Sequence, residues 1–132
     1  MKLKIFFSAV ITVMAFSFND DLFGQTNTNY IRIANLVIDS TKLEDYKKAL
    51  KEHAEMAVKV EPGVIMLYAV YEKENPTNVS VFEIYANEEA YKFHIKTQHF
   101  LKYKAIVQDM VKSLQLIDVT PIALESKLKL LN

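Results

Sequence analysis

The pattern of apolar and polar positions is most informative between residues 79 and 100. Side chains alternate in the first part of this stretch, which places Glu83 and Tyr85 on one face of a predicted strand. An asparagine, which is a preferred helix N-cap, and two acidic residues follow and favour the start of a helix. The stretch therefore predicts a strand, a capped turn and a helix that carries His94 and His99.

The rest of the chain predicts three more strands and one more helix. Apolar residues three and four positions apart predict the first helix, which follows capping residues at 39–41 and ends near residue 60, before a Pro-Gly pair. The second helix is predicted to run from residue 88 to about residue 113, with a break near Thr97. The predicted strands are residues 30–38, 64–72, 79–86 and 114–119.

The order of these elements, β-α-β-β-α-β, is that of the ferredoxin-like α+β proteins. It predicts a four-stranded antiparallel sheet with two helices on one face. The other face still carries apolar residues, such as Phe82 and Ile84 or their neighbours of opposite parity. Because a protein of this size does not leave a whole apolar sheet face in water, we expect a homodimer in which the two sheets pack face to face.

Length and composition narrow the function classes. The chain has 132 residues, which fits one domain, and its 16 basic residues balance 16 acidic ones, so no nucleic-acid-binding surface is expected. The sequence has no cysteine, which excludes disulfides, thiolate metal sites and a cysteine nucleophile.

The N-terminus predicts export. A short basic start precedes an apolar run at residues 5–18, which has the length of a signal-peptide core and is shorter than a typical membrane span. We interpret residues 1–24 as a secretory signal peptide in preference to an uncleaved anchor, residues 25–122 as the mature domain and residues 123–132 as an amphipathic C-terminal tail. This interpretation implies a secreted or periplasmic protein whose mature form has no stable membrane span.

Several short motifs occur in a characteristic order in the second half of the domain. They are Glu61-Pro62-Gly63, Phe82-Glu83-Ile84-Tyr85, Glu88-Glu89-Ala90, His94 and His99-Phe100. In this order they resemble the antibiotic biosynthesis monooxygenase superfamily of dimeric α+β barrels, over about residues 30–120, and in particular its quinol-monooxygenase-like branch. The segment from Phe93 to His99 is also similar to the bacterial autoinducer phospho-sugar isomerase.

The resemblance implies a small dimer with one cavity per subunit, between the sheet and the helices. In the quinol branch no metal or other cofactor is needed, because a phenol or hydroquinone is deprotonated and its anion passes an electron to O2. The resemblance makes His94 or His99 the base and Glu83 its partner. The residues expected to position or surround the aromatic ring are Asn35, Tyr68, Tyr85, Met66 and Phe93.

Two alternatives to the monooxygenase remain open at this point. The same histidine–glutamate pair would suit an isomerase that enolises a small hydroxy-ketone, and the fold also hosts non-catalytic dimers that hold a small ligand. The sequence has no tryptophan, which separates it from the haem-degrading members of the superfamily, since these need one at the end of the third strand.

Some of the candidate residues also have structural interpretations. His53 lies on the apolar stripe of the first helix and is expected to be structural, and Glu83 has an alternative role as the ion-pair partner of Arg32. A metal site built from His53, His94, His99 and Glu83 is not predicted, because the sequence has no His-x-His or His-Glu-x-x-His spacing.

Overall fold

The computed structural model describes residues 28–127. The predicted signal peptide at residues 1–24 lies outside the described residues, and so do residues 128–132 of the predicted tail. The strands are β1 (Tyr30–Ile38), β2 (Val64–Tyr71), β3 (Asn78–Tyr85) and β4 (Val111–Val119), and the helices are α1 (Leu43–Val60), α2 (Glu88–His94) and α3 (Gln98–Val107). No helix in this part of the chain is long and apolar enough to cross a membrane.

The four strands form one antiparallel sheet in the order β2-β3-β1-β4. Strand β1 lies in the centre, between β3 and β4, and β2 and β3 form a hairpin. The connections from β1 to β2 and from β3 to β4 contain the helices, and α1 packs against α3. This is the ferredoxin-like arrangement, so the predicted α+β fold class is confirmed.

The core lies between the sheet and the helices. Leu36 and Ile38 of β1 point towards the helices and are buried against Tyr46 and Leu50 of α1. Burial of each of these large side chains contributes about 1.5–3 kcal/mol relative to exposure. The alternation of side chains along β1 therefore decides which of them face the helices and enter this core.

Helix α1 follows a turn of 3₁₀ helix. Asp39 caps this turn, because its carboxylate accepts a hydrogen bond from the backbone N–H of Thr41 at 2.9 Å. The buried stripe of α1 has the predicted spacing and consists of Tyr46, Leu50, His53 and Ala57.

The predicted second helix is in fact two helices. Thr97 separates them and caps α3, since its hydroxyl accepts a hydrogen bond from the backbone N–H of Phe100, and the break predicted near Thr97 is thus confirmed. The predicted extension of the helix to residue 113 is wrong. Helix α3 ends at Val107, and β4 begins at Val111, because residues 111–119 pair with β1.

The sheet face that points away from the helices is apolar and partly exposed. Val70 is 61% exposed and Tyr68 44% exposed, whereas Ile31 and Ile84 near one end of this face are buried. A second copy of the sheet would cover these exposed side chains. The homodimer stays a prediction. The described part of the predicted tail, residues 123–127, contains no helix or strand.

Candidate functional site

A cavity of about 410 Å³ lies between the helix-covered face of the sheet and α3. This volume is within the range of small-molecule sites, which are mostly apolar with a few placed polar groups. The walls of this main cavity follow that pattern. Its apolar part includes Ala34, Leu36, Leu50, Val81, Phe100 and Val107.

Glu83 of β3 lines one end of the main cavity. The hydroxyl of Tyr85 donates a hydrogen bond to Glu83 Oε2 at 2.9 Å. Burial raises the pKa of Glu83, although the bond from Tyr85 and the charge of Arg32 act in the opposite direction. A carboxyl group with a raised pKa beside an apolar cavity is suited to take up or deliver a proton.

Arg32 lies opposite Glu83 in the β1–β3 pair. This position would suit the alternative role of Glu83 as the ion-pair partner of Arg32. Its guanidinium, however, forms its ion pair with Asp118 of β4, at 2.8 Å. It also donates hydrogen bonds to the hydroxyls of Tyr30 and Tyr91 and lies over both of these rings. Arg32 is therefore held rigidly at the same end of the cavity as Glu83.

His94 and His99 meet at a third residue, Glu61. His94 Nδ1 lies 2.7 Å from Glu61 Oε2, and His99 Nε2 lies 2.6 Å from the same oxygen. Because a carboxylate accepts hydrogen bonds, each ring nitrogen acts as the donor. His94 is 2% exposed and Glu61 4% exposed, so this trio is largely shielded from water.

The bond to Glu61 determines what the other nitrogen of His94 can do. With the proton on Nδ1, Nε2 carries the lone pair, and no other hydrogen bond of this ring occurs within residues 28–127. Burial lowers the pKa of His94 more than Glu61 raises it, which keeps the ring neutral near pH 7. His94 lines the main cavity, so its position and protonation state are those of a general base.

Three local features of the chain bring the trio together. Glu61 ends α1, and its backbone N–H still bonds to the carbonyl oxygen of Ala57 at 3.0 Å. Gly63 then passes so close to α2 that an added Cβ would lie 2.6 Å from the Cβ of Ala90. At the far end of α2, the hydroxyl of Thr97 donates to the carbonyl oxygen of His94 at 2.7 Å. The helix break thus allows residues 94 and 99 to face one carboxylate.

His53 lies beside the trio but has a different environment. Its ring stacks on Tyr103, with centroids 4.6 Å apart, and its Nδ1 is buried without a hydrogen-bond partner in the described part of the chain. Burial and the neighbouring His94 and His99 lower the pKa of His53 to about 4. A neutral, stacked ring agrees with the structural role expected for His53.

The trio of Glu61, His94 and His99 also contains residue types that bind transition metals, and the candidate ligand atoms lie within 4.8 Å of one another. The two nitrogen–oxygen distances of 2.6 and 2.7 Å are hydrogen-bond lengths. Two ligands of a tetrahedral zinc ion, each about 2.1 Å from the metal, would lie about 3.4 Å apart. The geometry is therefore that of a hydrogen-bonded trio.

The structure brings together some of the predicted site residues. His94, Glu83 and Tyr85 line the main cavity, and their roles stay a prediction. His99 lines two shallower surface cavities instead, and it reaches His94 only through Glu61.

The prediction that four further residues surround the same cavity is wrong. Asn35, Met66 and Tyr68 lie on the opposite face of the sheet, because the pairing of Arg32 with Glu83 places the other parity of each strand there. Phe93 is 64% exposed on the outer side of α2.

Glu61 was not predicted as a site residue, since the Glu61-Pro62-Gly63 segment was interpreted as the end of a helix and as one of the family motifs. One signal was present in the sequence. The C-terminus of a helix carries partial negative charge, so an acidic residue there is unfavourable unless other groups compensate it. Two histidines supply that compensation.

Comparisons with known proteins agree with this fold. The family model described as antibiotic biosynthesis monooxygenase matches residues 29–106. The solved structure of a proposed antibiotic biosynthesis monooxygenase from Bacteroides thetaiotaomicron VPI-5482 is 50% identical, with a TM-score of 0.74 over 76% of this chain and 97% of that one.

More distant solved structures share the fold. A proposed monooxygenase from Lactobacillus acidophilus NCFM is 26% identical, with a TM-score of 0.70 over 71% of this chain and 45% of that one. A proposed antibiotic biosynthesis monooxygenase from Nitrosomonas europaea is 21% identical, with a TM-score of 0.68 over 73% of this chain and 92% of that one. No functionally curated protein matches the chain significantly.

Proposed function

Since the chain belongs to the antibiotic biosynthesis monooxygenase family, we propose that it is a cofactor-independent monooxygenase that oxidises a quinol or a related electron-rich phenol with O2. One observation carries this proposal. His94 lines an apolar cavity of about 410 Å³, and its Nδ1 is bound to the buried carboxylate of Glu61. The lone pair of Nε2 is thereby available to a hydroxyl group in the cavity.

The first step is the removal of a proton from the substrate. The substrate hydroxyl gives its proton to His94 Nε2, and Glu61 stabilises the resulting imidazolium through the bond at Nδ1. This is the arrangement by which a carboxylate orients a catalytic histidine and fixes its tautomer. Glu61 therefore acts as a positioning residue, a role that the sequence prediction had given to Glu83.

The deprotonated ring is electron-rich enough to transfer one electron to O2. The superoxide and the aryloxyl radical then combine at a ring carbon that carries a hydrogen, which gives a peroxide anion. Its O–O bond breaks as that hydrogen leaves as a proton, so the inner oxygen stays on the ring as a carbonyl and the outer oxygen leaves as water. His94 returns its proton to the departing oxygen, so the substrate supplies all electrons and the histidine ends as it began. The apolar walls keep bulk water away from the intermediates.

Glu83 and Arg32 also line the main cavity and serve a second polar group of the substrate. The carboxyl group of Glu83, whose pKa is raised by burial, exchanges a proton with a second oxygen of the ring. Arg32, which Asp118 holds in place, adds positive charge where the substrate becomes anionic.

Two further properties belong to the proposal. The exposed apolar side chains on the outer sheet face support a homodimer through the sheets. The basic and then apolar sequence of residues 1–24 supports export to the periplasm or beyond.

Oxygen uptake with a naphthohydroquinone such as menadiol tests the reaction. The expected result is uptake that depends on the protein, with one atom of ¹⁸O2 in the organic product and the other in water. Production of quinone and hydrogen peroxide without label in the product would indicate an oxidase instead. Binding of the quinol without oxygen uptake would favour the non-catalytic alternative.

A further inference from the structure

The charges around the main cavity are unbalanced, although the chain as a whole is neutral. The cavity is lined by three cationic side chains, which are Arg32, Lys104 and Lys112. Among the described residues that line it there is one carboxyl group, that of Glu83, and burial favours its neutral form. The whole chain has 16 basic and 16 acidic residues, so the excess of positive charge is a property of the cavity.

The three cations differ in whether ion pairs or hydrogen bonds within the protein engage their charge. Arg32 forms an ion pair with Asp118 and donates to two tyrosine hydroxyls. Lys104 and Lys112 are exposed at the rim, and no ion pair engages either of them within residues 28–127. The positive charge of Lys112 helps to lower the pKa of Asp39, but Asp39 does not line the cavity.

Both lysines are displaced from the acid–base groups, and Lys112 is displaced much further than Lys104. Lys112 is six residues from Asp118 along β4, which corresponds to about 20 Å in a strand. On α3, Phe100 packs against His94 with centroids 5.1 Å apart, and Lys104 lies one turn, about 6 Å, further along the helix. Most of the other side chains that line the cavity are apolar.

We propose that the substrate is an aromatic hydroxyl compound with an anionic substituent, bound with its hydroxyl at His94 and its anion at Lys104 and Lys112. The assignment of the hydroxyl end rests on the proposed function, whereas the anion end follows from the placement of the charges. A cationic rim on an apolar cavity favours the binding of such a ligand over that of a neutral arene. It also sets the orientation in which the ligand enters the cavity.

Two naphthols that differ by one carboxylate test the proposal directly. 6-Hydroxy-2-naphthoate and 2-naphthol share the ring and the hydroxyl, and fluorescence titration gives the Kd of each for the full protein. At low salt, we expect the naphthoate to bind about tenfold more tightly, since two exposed ion pairs are gained. The advantage should shrink as the salt concentration rises.

Lysine variants assign the effect to the rim. Lys104→Met and Lys112→Met should each reduce the preference for the naphthoate, and the double variant should remove it. The Kd of 2-naphthol should stay unchanged in all three, which shows that the cavity is intact. Lys102→Met is the matched control, because Lys102 is exposed on α3 but does not line this cavity.

Three results would overturn the proposal. They are equal affinity for the two naphthols, a preference that survives in the double variant, and no saturable binding of either compound. The titration needs no oxygen and no turnover. If the preference is found but quinols consume no oxygen, the proposed monooxygenase reaction fails while the anion-binding rim stands.

Discussion

Acidification from pH 7 to pH 5 should lower the free energy of unfolding by about 2 kcal/mol through His53 alone, because this ring stays neutral in the fold while it gains a proton in the unfolded chain. His53 is 7% exposed and stacks on Tyr103. Burial is the main cause of its low pKa, and the adjacent His94 and His99 rings add to it.

The magnitude follows from the two pKa values of this group. The ordinary pKa of 6.5 applies to the unfolded chain, and the folded value is about 4. Between these values the unfolded state binds more protons than the folded state, so stability is full above pH 6.5 and falls as the pH decreases. The loss reaches about 3 kcal/mol below pH 4, at 1.36 kcal/mol for each pKa unit.

Urea denaturation at pH 7, 6 and 5 measures this effect. His53→Phe keeps a ring against Tyr103 but cannot titrate, so it should lose about 2 kcal/mol less than the wild type between pH 7 and pH 5. Lys51→Gln, an exposed change on the same helix, should follow the wild type. Equal pH dependence in the wild type and His53→Phe would refute a buried, neutral His53.

Three further changes test the parts that position the site. Gly63→Ala should destabilise the fold by about 1–3 kcal/mol in urea denaturation, because its Cβ would lie 2.6 Å from Ala90; an unchanged midpoint would contradict this contact. Thr97→Ala should cost about 1 kcal/mol through the lost cap of α3, and Thr97→Ser should restore it. Val70→Glu should yield monomers in analytical ultracentrifugation, whereas Val58→Glu on α1 should not; dimers in both would place the interface elsewhere.

Much of the fold could be predicted from the sequence because the local signals agree with the tertiary structure. The three-and-four spacing in α1 corresponds to a single buried face, and the alternation in residues 79–85 separates the two faces of β3. The break at Thr97 was readable because a threonine favours a cap over a helix interior. The C-terminal end of α3 could not be predicted in this way. The sequence of residues 108–113 is compatible with a helix, and only the pairing of residues from Val111 onward with β1 places a strand there.

The candidate site was harder to predict for a physical reason. Both faces of β1 and β2 are apolar, so alternation separates two faces without indicating which one the helices cover. Asn35 and Tyr68 were therefore assigned to the wrong side of the sheet. The pairing of Arg32 with Glu83 shows that the opposite parity faces the helices. The role of Glu61 depends on contacts across 33 and 38 residues, which no local pattern encodes.

The rate of oxygen uptake with a saturating quinol in two matched histidine variants tests the central claim most directly. His94→Gln removes the base at the cavity, and kcat should fall by about 10²–10⁴-fold with the far-ultraviolet circular dichroism unchanged. His99→Gln removes a ring from the other side of Glu61, outside the main cavity, and should cause a much smaller loss. A His94→Gln protein that keeps kcat within about twofold of the wild type would contradict the assignment of His94 as the base.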